Sequence, residues 1–237
     1  MWNWLWVVML LVIVAAVIYW LLVITEGVYL GRSVVVWLYD RFAPQYDAVK
    51  QYTVEDESIL VVEPVLACIR RPNVCVLDVA TGTGRVPQFL HGDERFVGRV
   101  VGIDASRAML HQAVANVQPY QPVTDLICGE ASALPLPAAH FDVVTCLESL
   151  EFFPSETAAL REIVRVLRPG GYLLITRRIG WEARFFFGRF RTPAAFEARL
   201  HDLGLDDATT YPWQSNYDLV IAYKPLAKRG ETHAAID

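Results

Sequence analysis

The chain has 237 residues, 54% of them hydrophobic, and a formal net charge of −5. That balance excludes the basic signature of a nucleic-acid binder. The four cysteines, Cys68, Cys75, Cys128 and Cys146, lack CxxC spacing and the five histidines are scattered, which speaks against a disulfide framework or a metal site and for buried thiols in a reducing compartment.

From Trp2 through Thr25 no side chain is charged, and Leu5–Ile24 is almost wholly apolar. About 20 such residues in a helix span the roughly 30 Å hydrocarbon core of a bilayer. Trp2, Trp4 and Trp6 at one end, and Tyr19 and Trp20 near the other, fit interfacial aromatic belts. A signal peptide would carry a basic segment ahead of a shorter apolar run, and none is present. The expectation is a retained single-pass transmembrane anchor over residues 1–26. Arg32, Arg41 and Lys50 all follow it, so the positive-inside rule places the rest of the chain on the cytoplasmic side of the cell membrane. Val28–Leu38 is apolar but too short to span again. Residues 27–52 therefore read as an interfacial or linker segment, helical at the interface or docked on the following domain.

Residues 53–226 suffice for one domain with its own core, followed by a flexible tail at 227–237. Thr53 with Asp56 three residues on caps a helix running to about Ile69, with Pro64 placed to kink it. Strands are expected at Asn73–Val79, Arg99–Ile103, Val123–Cys128, Phe141–Leu147 and Tyr172–Thr176. Helices are expected at Gly84–Leu90, after Ser106 to about Val117, after Ser155 until Pro169-Gly170-Gly171, and from Thr192-Pro193 to Gly204. Ala208–Pro212 and Tyr217–Tyr223 are close enough to form a hairpin. The expected fold is α/β: a Rossmann-like, seven-stranded, mostly parallel sheet ending in an antiparallel hairpin strand, plus one N-terminal transmembrane helix.

Residues 76–85, VLDVATGTGR, carry the chemistry. A buried strand breaks into a glycine turn, which lets backbone approach a ligand, and a helix N-terminus with free N–H groups follows. Asp104 ends the next strand, where an acid is placed to accept hydrogen bonds from ribose hydroxyls. A dinucleotide fingerprint G-x-G-x-x-G would need a small residue where Pro87 stands, and no Gly-Lys-Ser/Thr follows to make a P-loop.

From about Tyr39 to Lys224 the chain resembles the class I S-adenosylmethionine-dependent methyltransferases, in the broad group that includes the ubiquinone/menaquinone C-methyltransferases. The resemblance rests on VLDVATGTGR (76–85), VVGIDASRAML (100–110), GEASALPLPAAHFDVVTC (129–146), LREIVRVLRPGGYLLIT (160–176) and RFAPQYD (41–47), in the family's order. Ala80 stands where many members have glycine and the quinone enzymes tend to have alanine, and HGDERFVGR (91–99) lengthens the spacing between Asp78 and Asp104.

The resemblance implies S-adenosyl-L-methionine as cofactor. The backbone of Ala80, Thr81, Gly82, Thr83 and Gly84 would face its methionine part, and Asp78 would help bind the ammonium. Asp104 would take the ribose hydroxyls and Ala105 would flank the adenine. Glu130 and the Ala131 N–H would read the adenine edge. Leu147 and Glu148 would line the methionine end, and Tyr46 would close over it. The residues themselves leave bland alternatives open: Asp78 or Asp104 as helix caps, Glu130 as a solvated acid, Tyr46 as packing, Asp142 and Arg168 as structural. Should the acceptor need a base, Glu148 and Glu151 stand nearest in sequence. In 177–191, Trp181, Phe185, Phe186, Phe187 and Phe190 alternate with Arg177, Arg178, Arg184, Arg189 and Arg191, a composition suited to an anionic bilayer surface or to aromatics packed under solvated arginines. The expected function is methyl transfer to a small or membrane-associated acceptor, a quinone precursor or lipid-like molecule. Alternatives are a non-catalytic cofactor-binding protein and an NAD-dependent oxidoreductase.

Overall fold

The computed structural model describes residues 3–121, 123–189 and 191–226. Trp2, Phe190 and the expected flexible tail at 227–237 lie outside the described residues. Helix α1 spans Asn3–Tyr19 and continues as a wider π turn over Trp20–Ile24. Helix α2 spans Arg32–Lys50, and α3 (Val54–Glu57) and α4 (Glu63–Cys68) follow, joined by a π turn at Ser58–Val62. The rest alternates: β1 Val74–Val79, α5 Arg85–His91, β2 Gly98–Asp104, α6 Arg107–Val117, β3 Thr124–Cys128 and β4 Phe141–Cys146. Then come α7 Glu156–Val166, β5 Leu167–Arg178, α8 Pro193–Asp202, β6 Asp206–Gln214 and β7 Tyr217–Tyr223.

The seven strands lie in the order β3-β2-β1-β4-β5-β7-β6. β3 through β5 are parallel, and β7 runs antiparallel between β5 and β6. β4 is buried along its whole length and β1 at all but Cys75, as near-continuous apolar strands covered on both faces should be. β1 leads to β2 and β3 on one side, whereas β4 and β5 lie on the other. The loops at the carboxyl ends of β1 and β4 diverge there and open a crevice, the usual place for a ligand in an open α/β sheet. The α7 pattern buries Leu160, Ile163 and Val166 together with Phe196, Leu200 and Phe141 in the larger core cluster.

Two expected elements differ in informative ways. Helix α7 stops at Val166, and Pro169-Gly170-Gly171 belongs to the start of β5 instead of to a turn. Phe141 pairs with Leu167 before the register shifts, and Gly170, at φ +83°, donates its N–H to Lys224 O at 2.7 Å. A bulge needs the left-handed conformation that glycine adopts without strain. Pro64 lies in the first turn of α4, and Leu60 O, which its missing N–H leaves free, accepts from Trp213 Nε1 at 2.8 Å.

The segment read as an interfacial or linker piece is mostly the 19-residue helix α2, packed against α6. Gly31, at φ +92°, separates it from a short 3₁₀ turn at Val28–Leu30. Helix α1 projects from the domain: Trp4–Ile24 has a mean hydropathy of 3.2 and none of it is buried. At its foot Trp20 stacks on Tyr29 (5.2 Å between ring centres), and Phe187 leans on both rings. The Tyr29 hydroxyl donates to Phe185 O and accepts from the Phe187 N–H, each at 2.6 Å.

The 177–191 segment splits accordingly. Trp181 and Phe187 are exposed, but Phe186 is core, and the Arg177 and Arg178 guanidinia are buried in ion pairs with Asp218 and with Glu151 and Glu182. Only part of that run can therefore face a surface. Among the thiols Cys68 and Cys146 are buried, and burial pushes them up to about 11 and about 12, beyond ordinary reactivity. Cys128 is exposed, contrary to expectation, because it ends the edge strand β3.

Asp142 sits at the amino end of β4, where the chain enters the sheet. It accepts from Arg71 (2.7 and 3.0 Å) and from the Cys75 N–H (2.8 Å), and Arg168 approaches to 2.5 Å. Burial opposes its ionisation, but these donors hold the carboxyl below its ordinary range. A depressed folded pKa means stabilisation that is complete above the unfolded value near 3.9 and fades as pH falls through the folded one. Asp142→Asn is expected to lower unfolding free energy by about 2 kcal/mol at pH 7. The gap to wild type should shrink below about pH 4 in denaturant titrations; a gap that is constant with pH would refute it.

Candidate functional site

β1 delivers Asp78 and Val79 into a turn in which Ala80, Gly82 and Gly84 all adopt positive φ (+59°, +56° and +84°). Alanine is the smallest side chain that could stand at the first of these, and its left-handed backbone stores about 1 kcal/mol. A Cβ on Gly84 would lie 3.2 Å from Val117 and 3.3 Å from Ala113, so α5 and α6 approach closely there. A Cβ on Gly82 would meet nothing within 4 Å, because that residue faces open cleft. The Thr81 N–H donates to Ile103 O at 3.0 Å and ties the turn to the end of β2.

Asp104 completes the tie. Its Oδ2 accepts from the Gly82 N–H (2.9 Å) and its Oδ1 from the Ser106 N–H (2.8 Å). The cap of α6 is Ser106, whose Oγ accepts from the Met109 N–H, so Asp104 is not spent on capping. Burial raises its carboxyl pKa, moderated by those N–H groups. Each carboxylate oxygen keeps a further lone-pair direction for a ligand hydroxyl. Asp78 is buried and accepts from Thr145 Oγ1 at 2.7 Å; desolvation pushes it up to about 6.

These groups line one cleft with two lobes. The outer lobe, about 810 Å³ including its open mouth, is bounded by Ile103, Asp104, Ala105 and Met109, by Glu130 and Ala131, and by Val35, Val36 and Tyr39 of α2. The inner lobe, about 360 Å³, is bounded by Asp78, Thr81, Thr83, Arg85 and Tyr52. Tyr46, Ala80, Gly82, Leu147 and Glu148 border both. The expected cofactor residues are thus brought together, apart from Gly84, which serves packing. Glu130 is not simply solvated: it pairs with Arg32 of α2.

The two acids expected as bases part company. Glu148, at φ +51° just past β4, pairs with Arg85 and Lys50 at 2.6 Å each. Burial would raise its carboxyl, but the two cations hold it below its ordinary range, which makes it a weak proton acceptor. Glu151 does not reach this cleft. A 3₁₀ turn at Leu150–Phe152 turns it toward a separate cavity of about 370 Å³, where it accepts from Tyr217 Oη at 2.5 Å.

Several functional residues escaped the sequence reading. Arg85 forks onto Glu57 (2.6 and 2.8 Å), lies over the Tyr52 ring at 4.6 Å, and holds Glu148. Helix α2 contributes four polar ties, one to each ligand-facing segment. Arg32 meets Glu130 and Lys50 meets Glu148; Asp40 accepts from Ser106 Oγ at 2.6 Å, and Asp47 accepts from Thr83 Oγ1 at 2.5 Å. The seven-residue spacing of Arg32, Tyr39 and Tyr46, two helical turns apart, was the available signal for one working face.

A mixed sheet of this order, with a glycine turn hydrogen-bonded to an acid that ends the neighbouring strand, is the arrangement that the resemblance to class I S-adenosylmethionine-dependent methyltransferases implies. Comparison with known proteins points the same way. Residues 77–175 match the family described as a methyltransferase domain. The chain is 35% identical over 156 residues to the demethylmenaquinone methyltransferase of Symbiobacterium thermophilum, covering 65% of this chain and 60% of that protein. It is 38% identical over 110 residues to the ubiquinone/menaquinone biosynthesis C-methyltransferase UbiE of Shewanella frigidimarina, covering 44% of this chain and 43% of the relative. The chain thus spans only part of the length of the curated relatives it matches. The crystal structure of a SAM dependent methyltransferase from Aquifex aeolicus superposes with a TM-score of 0.57 at 21% identity, over 70% of this chain and 92% of that one, which shows the fold.

Arg85→Ala would leave Glu57 buried without its cation and Glu148 with Lys50 alone. Unfolding free energy should fall by about 3–5 kcal/mol in denaturant titrations, and adding Glu57→Gln should recover part of the loss. Additive losses in the double variant would refute the pairing.

Proposed function

We propose that this protein transfers a methyl group from S-adenosyl-L-methionine to a membrane-resident acceptor of quinone-precursor or lipid-like type, with α1 anchoring the domain on the cytoplasmic side of the membrane. The observation that carries the reading is the Asp104 carboxylate hydrogen-bonded to the Gly82 N–H beside open cleft, where a Cβ would find only space. The cofactor's fit follows from that cradle and from the volume of the two lobes, within the ordinary range of ligand sites.

When bound, the cofactor supplies a sulfonium methyl and a good leaving group. The chain's own residues hold and orient. Asp104 would take the ribose hydroxyls, and Ala105, Glu130 and Ala131 would border the adenine. Asp78, with the carboxylate of Glu148 nearby, places negative charge in the inner lobe, where the ammonium and sulfonium need it. Tyr46 closes the wall between the lobes and, with α2, keeps water out. Alignment and water exclusion are most of what methyl transfer asks of a protein. The acceptor class is supported by the printed activities of the two relatives and by the apolar outer lobe. The anchor is supported by the length, composition and exposure of α1, and the side by the cationic residues that follow it.

Calorimetry on the full chain in detergent should show S-adenosylhomocysteine binding and no NAD binding. Asp104→Ala should weaken the former at least tenfold, about 1.4 kcal/mol; equal affinity in the variant would sink the site assignment. Labelled methyl should then pass from the cofactor into membrane extract. In vesicle flotation the full chain should stay with lipid through an alkaline wash, whereas release into the supernatant would contradict a spanning α1.

A further inference from the structure

With Glu148 held by two cations and Glu151 in another cavity, the cleft wall still carries a hydroxyl, that of Tyr39, whose acid partner has no assigned role. Glu26 lies at the joint between α1 and α2, at φ +48°, a left-handed conformation that strains a non-glycine residue. It is half-buried, and among the described residues it forms no ion pair within 4 Å. Its Oε2 instead accepts a hydrogen bond from Tyr39 Oη at 2.8 Å. Tyr39 lines the outer lobe of the cleft, edge-on to Phe152 at 5.8 Å. A glutamine could accept the same hydrogen bond from Tyr39, whereas a carboxylate can also take the proton.

We propose that Tyr39 and Glu26 form a proton relay that ionises a hydroxyl-bearing aromatic acceptor as it takes the methyl group. The inference rests on the methyl-transfer reading of the same cleft. The acceptor hydroxyl donates to Tyr39 Oη, and the Tyr39 proton passes to Glu26 Oε2. The ring electrons freed by that proton form the new bond to the methyl carbon. The carbon–sulfur bond breaks with its electron pair kept by sulfur, which becomes a neutral thioether. If a ring carbon is methylated, its hydrogen leaves as a proton and the oxygen is reprotonated, so one proton is released in either case. Tyr39 is the catalytic residue; Glu26 acts through it and positions it.

The surroundings suit this task. Arg178 of β5, Lys50 of α2 and Glu151 are the charged groups that face Glu26. Burial and Glu26 raise the Tyr39 phenol well above its usual range, with Tyr46 and Tyr217 adding to the effect, so it stays neutral and serves as a relay instead of a standing tyrosinate.

The test uses the full chain in lipid nanodiscs with Tyr39→Phe, Glu26→Gln and Glu26→Asp. With S-adenosylmethionine and a prenylated naphthohydroquinone, kcat should fall about 100-fold in both variants. The KM for the cofactor should stay within twofold, and Glu26→Asp should restore part of the rate. Variant rates should climb about tenfold per pH unit across the range in which wild type is flat. Variants with wild-type kcat and pH profile overturn the relay while methyl transfer stands. A wild type that binds S-adenosylhomocysteine but transfers no methyl removes the methyl-transfer reading and the relay that rests on it. Unchanged S-adenosylhomocysteine affinity shows that the variants are folded.

Discussion

Two backbone N–H groups meeting the carboxylate of Asp104 are the constraint on which the cleft depends. Gly82 belongs to the turn after β1 and Ser106 to the start of α6, so one side chain sets the distance between two crossover units. The parallel register that puts Val79 opposite Ile103 brings the turn to the acid, and the Thr81 hydrogen bond to Ile103 O holds it there. Hydrogen bonds to an ionised acceptor are the strong kind, and this pair is half-buried in the cleft wall. Positive φ at three nearly consecutive residues then becomes affordable, because the surroundings over-determine the turn.

Helix α2 gives that frame a roof. Its polar ties run to the glycine turn, to the start of α6, to the loop after β3 and to the end of β4, which are the four segments that face a ligand. No single tie is strong by the measure of partly exposed ion pairs. Together they register one helix against every wall of the cleft at once. The ends of α2 at Gly31 (φ +92°) and Gln51 (φ +52°) are backbone breaks that let the helix turn back onto the domain.

Much of this was legible before any coordinates. The apolar strands, the glycine turn and Asp104 announce themselves because local pattern and tertiary role coincide in them. What escaped depends on contacts between residues far apart in sequence. Arg85 reads as an ordinary residue after a glycine, and nothing local says that Glu57, 28 positions earlier, completes it. Glu148 and Glu151 look equivalent three residues apart, yet a left-handed residue and a 3₁₀ turn send them to different cavities. Pro169-Gly170-Gly171 has the composition of a turn, and only pairing with the end of β7 makes it a bulge. The ties of α2 were hidden for a related reason: polar residues on a helix next to an apolar span look solvent-facing until α6 is placed beneath them.

The stacked foot of α1 carries a last consequence. Trp20, Tyr29 and Phe187 form a small aromatic block, and the Tyr29 hydroxyl clamps the backbone of the 181–187 segment through two short hydrogen bonds. A flexible leash would let the domain sample a hemisphere of solution. A rigid pedestal holds the entrance at one height and one heading. Were that pedestal to stand in a bilayer, as proposed, encounters with a lipid-soluble partner would become a two-dimensional search, and turnover would follow how many such molecules share each patch of leaflet instead of how much is dissolved in the cell.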